Sequence, residues 1–343
     1  MANRPGRATL SRSAAFAADV ASAFERAVTA TALVQYEYEL AGRVVRVRFA
    51  GNALADRLAP ALAHLPAARA AAAVDGAVLN IDAWDRRSTG VAAPRPPWST
   101  ADYLPRERIS GFDEVRYDVG NGLLSVATPA GGVLHALDAE LVPPWVVRMP
   151  FRHLLGTWAT REGMALIHAA AVGVDGRCLV LPATSGAGKS TTALTAAAHG
   201  LDFLADDLCL VAVSGPTAFA PFALAKLEED AFARLPSLRS AVVSTTAGQS
   251  MIAPPGLRAS ARVVGIAVPR ITGLPETQWA PAPAHTGFHA MAPSTLIEGN
   301  GGDATTMRLM REFGEAVPCF DLALGTDPAG VAAALREMVA ACR

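Results

Sequence analysis

The 343-residue sequence has little of what marks several protein classes. Its four cysteines, Cys178, Cys209, Cys319 and Cys342, are scattered and show no CxxC spacing. That excludes a zinc cluster or a disulfide framework and points to reduced thiols in the cytoplasm. Charge of one sign is not in excess: 30 Lys and Arg face 31 Asp and Glu, a formal net charge of −1. A basic footprint for nucleic acid and a polybasic membrane patch are therefore both missing. Aromatic residues make up 6%, and the five tryptophans form no stacking stripe. No stretch approaches about 18 apolar residues without polar interruption, so no membrane span is expected. The segment Met1 to Arg26 carries Arg4, Arg7 and Arg12 but is broken by Asp19 and Glu25. It reads as an amphipathic helix from about Leu10 to Val28, N-capped by Ser11 or Ser13, rather than a secretory signal. No internal repeat is found.

What is present suits a well-packed globular chain: 51% hydrophobic and 18% charged residues, with length for one large domain or two ordinary ones. The pattern changes near Pro143-Pro144. Residues 1–143 read as a small α+β domain and 144–343 as an α/β domain. In the first part, β-rich runs Leu33 to Tyr38 and Arg43 to Phe49 flank a turn at Ala41-Gly42. Asn52 opens a helical stretch to about Ala73, divided or kinked by Pro60 and Pro66. A strand is expected at Ala77 to Trp84, then an exposed Pro-rich loop from Arg86 to Arg108. Strands at Glu114 to Val119 and Leu123 to Thr128 follow, with a further turn at Gly131-Gly132. In the second part, a helix at Val146 to Thr160 leads to a hairpin of Ala165 to Val174 and Arg177 to Leu181, turning at Asp175-Gly176. A helix to His199 stops at Gly200. Phe203 to Val213 reads as one apolar strand, Ala261 to Val268 as another, and Asp327 to Cys342 as a closing helix.

The run Ala183-Thr184-Ser185-Gly186-Ala187-Gly188-Lys189-Ser190 fits the Walker A pattern, with alanine in place of its first glycine. Gly186 and Gly188 allow backbone conformations closed to other residues, so successive N–H groups converge on phosphate oxygens. Lys189 reaches the β- and γ-phosphates, Ser190 offers a hydroxyl to Mg²⁺, and the helix beginning here adds its positive end. The nucleotide site is thus expected at Thr184, Ser185, Gly186, Ala187, Gly188, Lys189, Ser190 and Thr191, with ATP and Mg²⁺ as cofactors.

Asp206 and Asp207 interrupt an apolar run, where two carboxylates are costly to bury without a metal or a positive partner. One reading is a metal-binding acid beside an incidental neighbour. The other has one carboxylate at Mg²⁺ and one, Asp206, as general base toward an acceptor hydroxyl. His168 lies in an apolar run just before the loop, where a core histidine is the plain expectation and a catalytic one the sharper. Lys226 and Arg270 can each serve a phosphate, though an exposed cation is the plain expectation for both. His285 and His289 stand four apart, but Pro281, Pro283 and Gly287 argue against a helix and hence a metal site there. Glu298 to Asp303 is expected to be a loop.

The run Ile167-His168-Ala169-Ala170-Ala171-Val172, the hairpin, the loop Thr184 to Ser190 and then Asp206-Asp207 resemble the catalytic domain of HPr kinase/phosphorylase. A hairpin leading into the loop is similar to the fold shared by HPr kinase and phosphoenolpyruvate carboxykinase. Within that group the chain resembles kinases that tailor peptides, including those of lasso-peptide genes. The resemblance covers Pro144 to Val213 well. It implies a serine kinase with Asp206 as base, Lys189 on the phosphates, Ser190 and Asp207 near Mg²⁺, and His168 beside the reacting groups. It implies a peptide or small-protein acceptor and leaves room for a homo-oligomer. Thr191 stands where HPr kinases carry glutamate. From the residues alone, a nucleotide-binding regulatory module with ATP hydrolysis and a kinase for a small metabolite such as a free amino acid stay open.

Overall fold

The structure, a computed structural model, describes residues 7–68, 78–96, 104–109, 112–118, 120–128, 131–184, 186–246, 248–297 and 304–342. It is a mixed α/β protein with several sheets, and it divides into two compact units, Met1–Thr157 and Trp158–Arg343. No helix among the described residues is long and apolar enough to cross a membrane.

The first unit is built on seven strands: Leu33–Leu40 (β1), Arg43–Ala50 (β2), Val78–Asp85 (β3), Leu104–Ile109 (β4), Phe112–Asp118 (β5), Leu123–Thr128 (β6) and Gly131–Ala136 (β7). Their order is β1-β2-β3-β7-β6-β5-β4. β2, β3 and β7 run parallel and the remaining pairs antiparallel. Ala41 and Gly42 both take positive φ, 53° and 69°, the turn that matches the twist of a two-residue hairpin. The helix Arg7–Ala30 (α1) lays Phe16, Val20, Ala23, Phe24 and Ala27 onto the sheet against Trp84, Leu124 and Val126. The 4-3-1-3 spacing of those residues is a helical stripe. His135 on β7 is buried edge-on to Trp84, with ring centroids 5.0 Å apart, and its Nε2 accepts the Ala93 amide at 3.3 Å.

The second unit has a branched nine-stranded sheet in the order β11-β9-β10-β17-β13-β12-β8, from which β19 and β18 fork off β17. The strands are Met164–Ile167 (β8), Ala169–Val174 (β9), Arg177–Pro182 (β10), Asp202–Ala205 (β11), Cys209–Ala212 (β12), Thr217–Phe219 (β13), Ser260–Ile271 (β17), Gln278–Ala282 (β18) and Cys319–Leu324 (β19). A separate three-stranded sheet holds Ala225–Glu228 (β14), Val242–Thr246 (β15) and Gln249–Ile252 (β16). Both faces of the large sheet are covered. Ala170, Val172, Leu179 and Leu181 join a core with the helices Lys189–Ala198 (α6) and Pro328–Ala341 (α9). Ala169, Ala171, Cys178 and Val180 join the opposite core with Ala284–Ile297 (α7) and Ala304–Ala316 (α8). Burial on both faces is why these strands read as continuous apolar runs rather than alternating ones.

Several sequence expectations are corrected. α1 begins at Arg7, so Ser11 and Ser13 lie inside it. The helix Asn52–Leu58 (α2) is capped at Gly51 and gives way to a 3-10 turn, Ala59–Leu62, where Pro60 removes a donor; residues 69–73 lie outside the described residues. Within the expected loop, Asp85 caps a short helix, Arg86–Thr89 (α3), and β4 forms at its far end. Gly131-Gly132 opens β7 rather than a turn: a Cβ at Gly131 would meet the Asn80 carbonyl of β3 at 2.3 Å. The expected helix Val146 to Thr160 is two, Pro144–Arg148 (α4) and Arg152–Arg161 (α5), separated by Phe151 at φ 59°. Pro143-Pro144 thus lies inside the first unit, and the division falls within α5. The strands expected at Ala165 to Val174 and Phe203 to Val213 are each broken, at His168 and at Asp206-Asp207-Leu208.

Candidate functional site: a glycine loop and a buried acid pair at one sheet edge

β10 ends at Pro182, and α6 starts at Lys189 after a loop in which Gly186 and Gly188 take φ of +83° and +90°. Only glycine adopts that region without strain. Gly188 is the N-cap and supplies no side-chain acceptor for the first amides of α6. That end of the helix therefore presents N–H groups and partial positive charge. Ser190 and Thr191 are half-buried in its first turn, Thr184 is exposed, and Ser185 lies outside the described residues. Lys189 is 5% exposed, and its Nζ donates to the carbonyls of Ala183 at 2.7 Å and Thr184 at 3.1 Å. At its other end, α6 closes with Gly200 at φ 82°. The Gly200 and Leu201 amides donate back to Ala197 and Ala196, which fixes the helix length.

Strand register brings the sequence-predicted residues to this loop. β10 and β11 both run antiparallel to β9, with Pro182 opposite Ala169 and Ala205 opposite Ala171. The ends of β10 and β11 and the start of β9 therefore share one sheet edge, on strands about 4.8 Å apart. Ala183, Asp206 and His168 are the residues that leave the sheet there. On the second strand pair, Ile167 of β8 faces Cys209 of β12. The chain thus passes between the two strand pairs at His168 in one direction and at Asp206-Asp207 in the other.

The second crossing is sharp. The Leu208 amide donates to the Asp206 carbonyl at 2.8 Å across Asp207, whose φ is 64°. This is a three-residue γ-turn, a strained conformation for a non-glycine residue, and it aims two carboxylates off one strand end. Asp206 and Asp207 are 4% and 8% exposed. Asp206 Oδ2 accepts the Lys226 backbone N–H at 3.0 Å. Asp207 lies between two basic side chains, with Oδ2 3.5 Å from Lys226 Nζ and Oδ1 3.6 Å from His168 Nε2. The second contact is ionic only when His168 carries its proton, and it is too long for a hydrogen bond. The His168 amide is held by the Thr295 hydroxyl of α7 at 3.0 Å. Its ring Nδ1 is buried and makes no hydrogen bond among the described residues.

Sequence reasoning gave Lys226 little weight, because a lysine in a short apolar run is ordinarily solvated. Its signal is the alternating burial of β14, which turns the Lys226 backbone and stem toward the acid pair. Beside α6 lies a cleft of about 140 Å³, lined by Thr191, Thr192, Thr195, Arg234, Ile271 and Leu324 among others. None of these except Thr191 was singled out in the sequence. Arg270 is exposed on β17, within the strand rather than after it. His285 and His289 do lie on a helix, α7, with rings 5.4 Å apart; Pro283 precedes its first residue, so the prolines bound the helix instead of preventing it. Among the described residues, no three His, Cys, Asp or Glu side chains gather to hold a metal. Residues 298–303 lie outside the described residues.

No protein-family model and no curated protein matches the chain. Among solved structures it is similar to the HPr(Ser) kinase/phosphatase from Coxiella burnetii, over 50% of this chain and 93% of that one. The TM-score is 0.28 and the identity 12%. A superposition that loose decides nothing about activity.

Proposed function

We propose that the second unit is an ATP- and Mg²⁺-dependent phosphotransferase of the HPr kinase and phosphoenolpyruvate carboxykinase type, acting on a hydroxyl, a serine of a peptide or small protein. The observation that carries this reading is the pair of buried carboxylates, aimed by a γ-turn from the same sheet edge as the glycine loop.

The residues fit the group they would hold. Mg²⁺ takes one or two carboxylates together with substrate phosphate oxygens rather than an all-protein cage. Ser190 and Asp207 offer the hydroxyl and carboxylate oxygens for that role. Magnesium-bound ATP would supply the transferable phosphoryl group and neutralise charge on its oxygens. The loop amides and the start of α6 cradle the phosphates, and Lys189 exchanges the Ala183 and Thr184 carbonyls for phosphate oxygens. The cleft between Thr195, Ile271 and Leu324 is the place for the nucleoside. Asp206, steadied by the Lys226 amide, takes the acceptor hydroxyl proton. Lys226, 3.5 Å from Asp207, brings positive charge to the spreading negative charge of the transfer, and His168 Nε2 lies on the other side of the same carboxylate at 3.6 Å.

The test is transfer from γ-labelled ATP with Mg²⁺ to a panel of a precursor-type peptide with a free serine, HPr and free serine, with Lys189→Ala and Asp206→Asn alongside. Label on one acceptor, lost by at least about 100-fold in both variants, is the expected result and names the acceptor class. Phosphate release without acceptor labelling, undiminished in Asp206→Asn, would leave an ATPase or regulatory module and sink the proposal.

A further inference from the structure

The outer face of α7 carries two histidines, and we propose that His285 and His289 together bind a zinc ion outside the nucleotide site. Their four-residue spacing sets them about 40° apart around the helix, one turn above the other. Gly287, between them, points the opposite way. A Cβ on it would meet Ile266 of β17 at 3.2 Å and Cys319 Sγ of β19 at 3.5 Å, so glycine lets this turn lie close on the sheet. Gly287 and Met291 are buried, while His285 and His289 are exposed. Packing therefore fixes the inner face of the helix and leaves the histidine pair on a steady backbone, open to solvent.

The spacing of the rings selects the ion. Their centres are 5.4 Å apart and their planes are tilted by 57°. A zinc ion about 2.1 Å from a ring nitrogen lies about 3.2 Å from that ring's centre, and the tetrahedral angle then sets two ring centres about 5.2 Å apart. A right angle, as in octahedral or square-planar coordination, needs them about 4.5 Å apart. The two rings thus stand at the separation a tetrahedral ion requires. Neither makes a hydrogen bond or an ion pair among the described residues, so no protein partner there competes with a metal for the ring nitrogens. Phe288 meets the His289 ring at 5.9 Å and offers no ligand atom. Imidazole suits zinc, whereas Mg²⁺ takes oxygen ligands, so the pair discriminates between the two ions. Two protein ligands leave two positions to water. With half the ligand set of a structural zinc site, the expected Kd is on the order of 10–100 µM. The positive end of α7, close to His285, weakens this by at most about fivefold.

This inference is independent of the phosphotransferase reading, because it concerns α7 alone. Its test is calorimetric titration of the full chain with zinc chloride in a non-coordinating buffer, with and without about 5 mM Mg²⁺. The expected result is one zinc ion per chain, bound with the same affinity whether or not Mg²⁺ is present. His285→Gln and His289→Gln should each weaken that binding at least about tenfold, since either one leaves a single ligand. Both are exposed positions on separate turns, and either variant serves if the other does not fold. Zinc that survives both substitutions and is displaced by Mg²⁺ would be held by the acid pair, which overturns the site. Loss in one variant while the other binds normally would overturn the pairing of the two rings. No saturable zinc binding to the wild type below about 1 mM would leave the histidines as plain surface residues.

Discussion

At the scale of single residues, burial sets the chemistry more than neighbours do. His135 lies among Trp84 and the β7 backbone, and loss of hydration pushes its pKa down to about 4, against a smaller upward pull from Asp85. The folded value is below the unfolded one near 6.5, so the unfolded chain binds a proton that the folded chain refuses between those values. The contribution to stability is complete above pH 6.5 and is lost as pH falls toward 4. A shift of that size corresponds to an upper limit on the order of 3 kcal/mol. Denaturant titrations at pH 7.5 and pH 4.5 should show the first unit weakening with acid. His135→Gln, which keeps an acceptor for the Ala93 amide without a titrating ring, should remove most of the difference. A slope unchanged in that variant would assign acid sensitivity elsewhere.

At the scale of elements, the junctions decide function. Gly188 ends the loop and caps α6 at φ +90°, and a Cβ there would come 3.4 Å from Leu324 and 3.5 Å from Ile271. Gly188→Ala should strain the turn by roughly 1–2 kcal/mol and narrow the cleft. We expect ATP affinity, measured by titration, to fall at least about tenfold while the melting temperature moves by only a few degrees. The same junctions show what the sequence discloses. The β1–β2 hairpin, α1, the glycine loop, the stop at Gly200 and the Asp327 cap of α9 are local, each written in a turn residue or a helical stripe. The breaks at His168 and Asp206-Asp207 are not local. Their flanks are apolar on both sides because both sheet faces are covered, so period and propensity run through them without a mark. Only pairing with distant strands, β8 with β12 and β9 with β11, shows that each apolar run is two strands. Lys226 was obscured for the same reason: its contact with the acid pair is made across 20 residues of chain.

At the scale of the whole molecule, the two units keep separate sheets, and the second buries small apolar and thiol side chains densely. All four cysteines are free and buried. Cys178 is pushed up to about 12, and the thiols of Cys209, Cys319 and Cys342 are also raised, in each case chiefly by burial. A thiol so poorly ionised is a weak nucleophile. With a disulfide reagent at pH 8, the native protein should show almost no fast-reacting thiol, and four should appear at once in guanidinium. Rapid labelling of the native chain would mean that a core opens readily.

The parallel pairing of β10 with β17 has a consequence for how the protein is made. Arg177 to Val180, the strand beneath the glycine loop, pairs at once with β9 but finds its second neighbour only at Arg262 to Ile266, and β17 in turn needs β19 beyond Pro318. A chain growing from its amino end therefore carries a finished loop sequence long before it carries a finished loop. Until β17 arrives, the apolar β9–β10 hairpin has one uncovered flank, a natural point of contact for a chaperone. A nascent chain arrested after Gly256 should thus hold every residue of the Walker-type run and still fail to retain ATP.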